Sequence, residues 1–424
     1  MNNVEELDSS LVEKEPTPLE KVIDCIKNGR HVSILSQGGT GKSTLIAAVK
    51  DYLYETDPDL VFYVTSTTGV SAYLIKGTTV HSYSGIGVLY PRHTIQDVIK
   101  KIAKNKPAIE RIKRTQVLVI DEISMLGAPY LDMMNEVFQL IRKDTRLFGG
   151  ITVIITGDFY QLPPIDEAYA FESKVWSKMN LFPIHLTRVY RFTDEIYASM
   201  MGRIREGKHT PEDNVELFKR VRAYNELDID SMEIRPTFLT SRRVNVDEQN
   251  ADELHKNPNE LVIYPAIDDV KKDVTFDLLA PARLQLKVQA QVMLVVNLDV
   301  ESGLTNGARG VVTKLTSDEV YIKFLSGETI PFQRHEFKVE EEGKVIGTRR
   351  QFPFILAYAL TIHKCQGSTL DFAVVDAGNS IFQAHMTYVS LSRVRSLSGL
   401  FLKAFNPYKI TVDSKVVDFY MENS

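Results

Sequence analysis

Eight consecutive residues, Ser36-Gln37-Gly38-Gly39-Thr40-Gly41-Lys42-Ser43, carry the densest chemistry in the chain. They follow an apolar stretch, His31–Leu35, and open a helical pattern, Thr44–Val49. Strand, glycine-rich loop, Lys-Ser and helix in that order form a phosphate cradle. Glycines let backbone N–H groups approach the oxygens, and the helix N-terminus adds positive potential. The expected ligand is a nucleoside triphosphate with Mg²⁺. Its expected contacts are Gly38, Gly39, Thr40, Gly41, Lys42, Ser43 and Thr44. Lys42 would reach the β- and γ-phosphates, and the Ser43 hydroxyl would ligate Mg²⁺. The pattern usually begins with Gly six residues before the Lys. Ser36 stands there, which is tolerable where its φ is negative.

A second anchor is Val117-Leu118-Val119-Ile120-Asp121-Glu122, an apolar strand ending in paired acids. Asp121 is placed to hold Mg²⁺, and Glu122 to position or deprotonate an attacking water. A third is Gly157-Asp158-Phe159-Tyr160-Gln161-Leu162-Pro163-Pro164. There Gln161, a neutral hydrogen-bonder, suits the γ-phosphate or the lytic water. His335-Glu336 lacks a second His four residues after the first, so no zinc-protease motif is present.

These groups need elements to carry them. Val32–Leu35, Leu60–Val64, Gln116–Ile120 and Ile151–Ile155 read as buried strands, alternating with helical stretches such as Ala128–Ile141. That order gives α/β architecture with a parallel sheet. A second α/β series begins near Phe182, with strands expected at Thr237–Thr240, Gln291–Val296, Leu356–Leu360 and Phe372–Asp376. Between Thr305 and Arg349 short alternating strands with Gly-bounded turns argue for a small inserted β-barrel.

At 424 residues, 44% hydrophobic and 25% charged, the chain is that of a multidomain globular protein. Without an apolar run of about 18 residues, no membrane span is expected. Cys25 and Cys365 have no metal-ligand spacing and fit a reducing, intracellular compartment. Residues 1–20 hold six acids and one Lys, wrong for a targeting signal. A net charge of −5 does not advertise nucleic-acid binding, but Arg92–Arg114 holds eight Lys/Arg against two acids. These are Arg92, Lys100, Lys101, Lys104, Lys106, Arg111, Lys113 and Arg114, an excess able to track a phosphate backbone or simply to be solvated.

From about Asn28 to Phe405 the sequence resembles the Pif1-like branch of superfamily 1 helicases. The match runs through Gly39–Ser43, Thr65–Ala72, Gly77–Ser82, Asp121–Met125, Phe148–Gly150, Gly157–Pro164, Leu186–Arg191, Leu356–Leu370 and Tyr388–Arg393, in the family's order. The resemblance implies two RecA-like parallel-sheet domains with a small wedge subdomain and an inserted SH3-like β-barrel. The implied ranges are an acidic arm at 1–17 and a first domain at 18–183, with its wedge at about 84–113. The second domain takes 184–304 and 350–424, and the insertion 305–349.

The resemblance further implies an ATP-dependent 5′–3′ DNA helicase that tracks single-stranded DNA and unwinds forked duplex, a monomer working with replication or repair proteins. Arg191 and Arg393 would face the nucleotide, joined by Gln366 and Gly367. Thr67, Thr79, His81, Ser82, Thr361, His363 and Lys364 would contact DNA. Two departures stand out: Leu19 occupies the place of an adenine-reading Gln, and Gln289 that of a usual Gly. A nucleotide-gated binding switch and an RNA-directed motor are the alternative readings of the same residues.

Overall fold

The structure is a computed structural model that describes residues 15–87, 89, 93–270, 280–299, 302–341 and 344–423. The expected acidic arm, up to residue 14, and Arg92 of the basic run lie outside the described residues.

Val117–Asp121 is buried along its whole length because both faces of its sheet are covered. Successive side chains point to opposite faces. Val117 and Val119 therefore pack with Val22, Ile46, Val49 and Leu53 on one side. Leu118 and Ile120 pack with Leu131, Met134 and Phe138 on the other. Burying one such side chain contributes roughly 1.5–3 kcal/mol, so these runs of Val, Ile and Leu fix the sheet's centre. The sheet is parallel, in the order Thr78–Thr79, Phe62–Ser66, Val117–Asp121, Thr152–Gly157, Val32–Leu35, Phe182–Pro183. Phe182–Pro183 is thus the last strand of the first series, not the start of the second.

The second parallel sheet runs Ala359–Thr361, Thr237–Thr240, Ala373–Ala377, Leu400–Phe405. Two expectations are corrected here. Gln291–Leu294 does not join this sheet; it pairs antiparallel with Arg309–Val311 and with Phe354–Leu356. The run expected as one strand, Leu356–Leu360, is split between two sheets. The chain turns at Ala357, whose carbonyl is pinned by Thr237 Oγ1 and Gln291 Nε2, each at 2.9 Å.

The insertion is a five-stranded antiparallel sheet in the order Thr329–Phe332, Val320–Phe324, Arg309–Leu315, Gln291–Leu294, Phe354–Leu356. Its two edge strands are not hydrogen-bonded to each other, so the expected closed barrel is not present among the described residues. The sheet is nonetheless curled enough for Phe332 on one edge to meet Phe354 on the other, with ring centroids 4.9 Å apart. A separate hairpin, His335–Glu341 with Lys344–Gln351, pairs with Ile267–Val270. The final helix, Ser414–Glu422, leaves the second sheet and buries Val416 and Phe419 in the core of the first.

Candidate nucleotide cleft and strand-contact surface

The phosphate loop leaves Val32–Leu35 and enters the helix Lys42–Thr56. Gly39 (φ 85°) and Gly41 (φ 89°) occupy the left-handed region, where a side chain would be strained. Ser36 is not among the residues with positive φ. Its buried hydroxyl bridges the loop to Thr40 Oγ1 at 2.8 Å, so the replacement of Gly adds a tie across the cradle. Lys42 Nζ donates to the carbonyls of Ser36 (2.7 Å) and Gln37 (2.9 Å), folded back on its own loop. Ser43 and Thr44 are exposed at the helix mouth. Gln37 Nε2 is buried among the described residues without a hydrogen-bond partner.

The two acids lie across from this loop. Asp121 ends its strand buried, accepting a hydrogen bond from Thr156 Oγ1. Burial pushes its carboxyl pKa up. Glu122 sits at φ 54°, a left-handed conformation that turns it out of the strand direction. Its pKa is also raised, by burial and then by Asp121. Lys42 faces Asp158, Glu122 and Asp121, which counter the burial that lowers its own pKa.

Arg191 crosses the loop. A Cβ on Gly39 would lie 2.6 Å from Arg191 Cβ, and one on Gly38 would lie 3.0 Å from Arg191 Nη1 and 3.4 Å from Gln161 Nε2. Tyr190 N donates to Gly39 O at 2.8 Å, fixing this approach. Arg393, only 1% exposed, spends its guanidinium on Val389 O (2.7 Å), Cys365 O (3.2 Å) and Ser392 Oγ (2.8 Å). Burial, with Arg191 nearby, pushes its pKa down to about 9. From the second sheet's side, Gln366 Nε2 donates to Glu122 Oε2 at 3.1 Å, and Gln366 Oε1 is buried without a partner. Gly367 (φ 86°) follows with open space where a Cβ would stand.

The expected strand contacts form a different kind of surface. Thr67 Oγ1 donates to Glu122 O (3.1 Å). Thr79 pairs beside Ser66 and caps the short helix Val80–Ser84 through Ser82 N at 3.2 Å. His81 packs on Tyr130, and burial lowers its pKa. In the second domain Thr361 closes its strand and accepts from Lys364 N at 3.1 Å, with Lys364 exposed and His363 pushed to lower pKa by burial. Both groups follow carboxyl ends of parallel strands, where open α/β sheets bind ligands.

The basic run does not act as a unit. Its helices, Ile95–Ile102 and Lys106–Arg114, and the turn between them leave Lys100, Lys104, Lys106 and Arg114 exposed. Arg111 instead turns inward, donating to Ser82 O (2.9 Å) and Tyr83 O (2.7 Å) beneath the His81 helix. Lys101 Nζ holds Ile86 O at 2.9 Å, and Lys113 pairs with Glu110 at 3.0 Å.

Several residues at the cleft carried no signal of their own. Thr156 is the partner of Asp121. Tyr190, 64% exposed, lies 3.9 Å from where a Cβ on Gly41 would be. Asp158 stands out in the sequence only as part of a motif, yet it is fully buried and paired with Arg205 at 2.8 Å. Arg205 lies 47 residues away and sits at the end of an ordinary amphipathic helix. Leu19, in the place of the adenine-reading Gln, packs partly buried against the cluster of Val22, Ile46 and Val49. Gln289 adopts φ 67°, a position that explains a usual Gly there.

A phosphate loop, paired acids ending another strand of the same sheet and arginines brought in beside a second parallel sheet define a P-loop protein of two α/β units. Sequence comparison specifies it further. Residues 13–214 match the model of the PIF1-like helicase family, and residues 269–315 that of the DNA helicase Pif1 2B domain. The chain is 35% identical over 410 residues to the ATP-dependent DNA helicase PIF1 of Danio rerio, covering 94% of this chain and 62% of that protein. It is 31% identical to the ATP-dependent DNA helicase Pif1 of Bdellovibrio bacteriovorus, covering 94% and 90%. Against the Danio rerio relative and others like it, it therefore spans about three fifths of their length.

Among solved structures, Candida albicans Pif1 is similar at TM-score 0.76 and 33% identity, covering 96% and 99% of the two chains. Bacteroides Pif1 in complex with ADP-AlF4 gives 0.80 at 27% identity, covering 96% of each. A Bacteroides Pif1 bound to ssDNA gives 0.63 at 26% identity, covering 98% and 97%. The chain belongs to the Pif1-like helicase family.

Proposed function

We propose that this chain is an ATP-driven DNA helicase that tracks single-stranded DNA 5′ to 3′. The observation that carries this reading is the hydrogen bond from Gln366 to Glu122. It seats a side chain from the segment that also holds Thr361, His363 and Lys364 directly on the acid best placed to activate water. A change at the nucleotide is thereby felt in the second sheet's strand-contact segment, and the reverse.

The chain's residues fit ATP. At Gly38 and Gly39 a side chain would press on Arg191, Gly41 holds a left-handed φ of 89°, and the buried amide of Gln37 and the carbonyl of Gln366 await partners. Ser43 and Asp121 offer the hard oxygen donors that suit Mg²⁺. When bound, Mg²⁺ would neutralise charge on the β- and γ-phosphates. Lys42 would exchange its loop carbonyls for phosphate oxygens. Glu122, its pKa raised, would orient and take a proton from water, and Gln161 would meet the γ-phosphate beside Arg191. Arg393 would have to release carbonyls of its own domain to reach the same place. Its engagement therefore reports closure of the cleft. Tyr190 offers an aromatic face at the mouth, in place of the missing Gln, for a base with little discrimination.

Residues 18–183 would form the first domain, 184–304 with 350–424 the second, and 305–349 the insertion. By pairing, the insertion's sheet also draws in 291–294 and 354–356, and its curl suits an SH3-like module. The helices at 95–114, with Lys100, Lys104, Lys106 and Arg114 outward, suit a wedge beside the strand-contact row. DNA would be held by Thr67, Thr79, His81, Ser82, Thr361, His363 and Lys364. Intracellular replication or repair DNA, engaged by a monomer, is the substrate this reading implies.

The deciding measurement is steady-state ATP hydrolysis with and without single-stranded DNA, with Lys42→Ala as the blank, followed by displacement of duplexes carrying a 5′ or a 3′ tail. DNA-stimulated hydrolysis with displacement from the 5′ tail supports the reading. Stimulation without displacement supports a nucleotide-gated switch, and stimulation by RNA alone an RNA-directed motor.

A further inference from the structure

Asp158 and Arg205 join three separate stretches of chain at the edge of the nucleotide cleft. Asp158 directly follows Thr152–Gly157, whose last residue pairs with Leu35 at the entry to the phosphate loop. Its backbone carbonyl accepts from Gln161 N at 2.9 Å, closing the turn that carries the Gln161 side chain to Gly38. The buried carboxylate is gripped by Arg205, through Nη2 at 2.8 Å and Nε at 3.1 Å. Arg205 is the last residue of the helix Glu195–Arg205, which starts shortly after Arg191. Burial works against both charges, yet each partner outweighs it: Asp158 is held low and Arg205 is raised.

The third stretch is the C-terminal helix. The Arg205 guanidinium lies 4.4 Å from the Tyr160 ring centroid, and Tyr160 stacks on Tyr420 at 4.8 Å with the planes 6° apart. The Tyr420 hydroxyl accepts from Phe159 N at 3.2 Å and reaches Asp158 Oδ1 at 3.4 Å. The turn Asp158–Gln161 is thus gripped from outside its own sheet at both of its first two residues. A carboxylate this buried keeps its charge only while its donors stay in place, so the turn has one favoured arrangement while Arg205 and Tyr420 are seated.

We propose that Arg205 and Tyr420 are positioning residues that hold the Asp158–Gln161 turn so that Gln161 meets the γ-phosphate end of the bound nucleotide. The C-terminal helix then belongs to the nucleotide-sensing apparatus. This rests on the ATP-hydrolysis reading above. An ordinary structural ion pair would bear on stability alone; a positioning pair bears on the chemical step.

The test compares the unaltered chain with Arg205→Lys and Tyr420→Phe. Two quantities are measured: ATP hydrolysis at saturating single-stranded DNA, and binding of a fluorescent ADP with and without aluminium fluoride. Arg205→Lys keeps the charge and loses the fork; kcat is expected to fall about tenfold with KM for ATP within about twofold. ADP should bind as before, but with most of the extra tightening by aluminium fluoride lost. Tyr420→Phe keeps the stack and loses the hydroxyl, with a fall in kcat of about threefold expected.

The proposal is overturned if both variants keep kcat and the aluminium fluoride effect and only melt earlier, or if KM rises at constant kcat. Should Arg205→Lys not fold, Tyr420→Phe decides, since its shape is unchanged. An unaltered chain that hydrolyses no ATP removes the reading beneath, whereas an active chain with indifferent variants removes this inference alone.

Discussion

The candidate nucleotide cleft and the proposed strand-contact row are built on opposite principles. The cleft crowds Lys42, Asp121, Glu122, Asp158, Arg191, Arg205 and Arg393 into a partly or fully buried space. Most of these charges already have a partner in the resting protein: Lys42 on its loop carbonyls, Arg393 on Val389 and Cys365, Asp158 on Arg205. The row uses hydroxyls and neutral imidazoles at strand ends, with Lys364 as its exposed cation. Buried charges are costly to leave unmatched, so the cleft is a device with few allowed states. Short neutral donors make weak, interchangeable contacts, which would suit the proposed role of releasing and regripping a strand. Removing one group should therefore be drastic in the cleft and mild in the row.

The sharpest test of that contrast is Lys42→Ala. ATP hydrolysis should fall by about 10³-fold while affinity for single-stranded DNA stays within about twofold, measured on the same preparation. A comparable loss of both would mean the two regions are not separable.

Glu122→Gln comes next, with kcat lowered by about 10²-fold and nucleotide binding kept. Because burial and Asp121 raise the Glu122 pKa, the carboxylate needed as base is lost on acidification above the ordinary carboxylate value of about 4.3. A pH profile of kcat/KM for ATP, which reports the free protein, should show its acid limb displaced upward in the unaltered chain, and that limb should vanish in Glu122→Gln. An acid limb at the ordinary value would mean the acid is not buried in the working state.

Much of the cleft is legible in the sequence because its parts are local. Gly39–Ser43 are contiguous, and Asp121-Glu122 closes a run of Val, Leu and Ile that can only be a buried strand. What stayed hidden depends on long-range pairing. Nothing in the helix ending at Arg205 distinguishes it from a solvent-facing helix, since its partner is 47 residues back and the stacking Tyr420 lies in a helix that crosses domains. Arg111 reads like its basic neighbours, yet two carbonyls of the His81 segment turn it inward. Gln291–Val296 is ambiguous in the sequence for another reason. A short apolar run carries no periodicity that tells a parallel from an antiparallel sheet, and only its pairing with Arg309–Val311 and Phe354–Leu356 decides.

In the row, Lys364→Ala should cost a few-fold in affinity for single-stranded DNA. It should also flatten the dependence of log K on log salt by about 0.7, the amount for one phosphate contact on a single strand. Fluorescence titration at three salt concentrations measures both. An unchanged slope would place Lys364 off the phosphate track.

The smallest effect expected is a near-absence of pH dependence, and it tests the neutrality of the row directly. An exposed histidine titrates at about 6.5, so acidification from pH 8 to 6.5 would half-charge it and tighten its grip on phosphate. Burial lowers the pKa of both His81 and His363, so both rings stay predominantly neutral across that interval. Affinity for single-stranded DNA at fixed salt should therefore change by less than about twofold between pH 8 and 6.5, and tighten only below it. A steady gain starting near pH 7 that disappears in His81→Ala or His363→Ala would show imidazolium contacts. The row would then grip by charge as the cleft does, and the contrast between the two regions would narrow to one of burial.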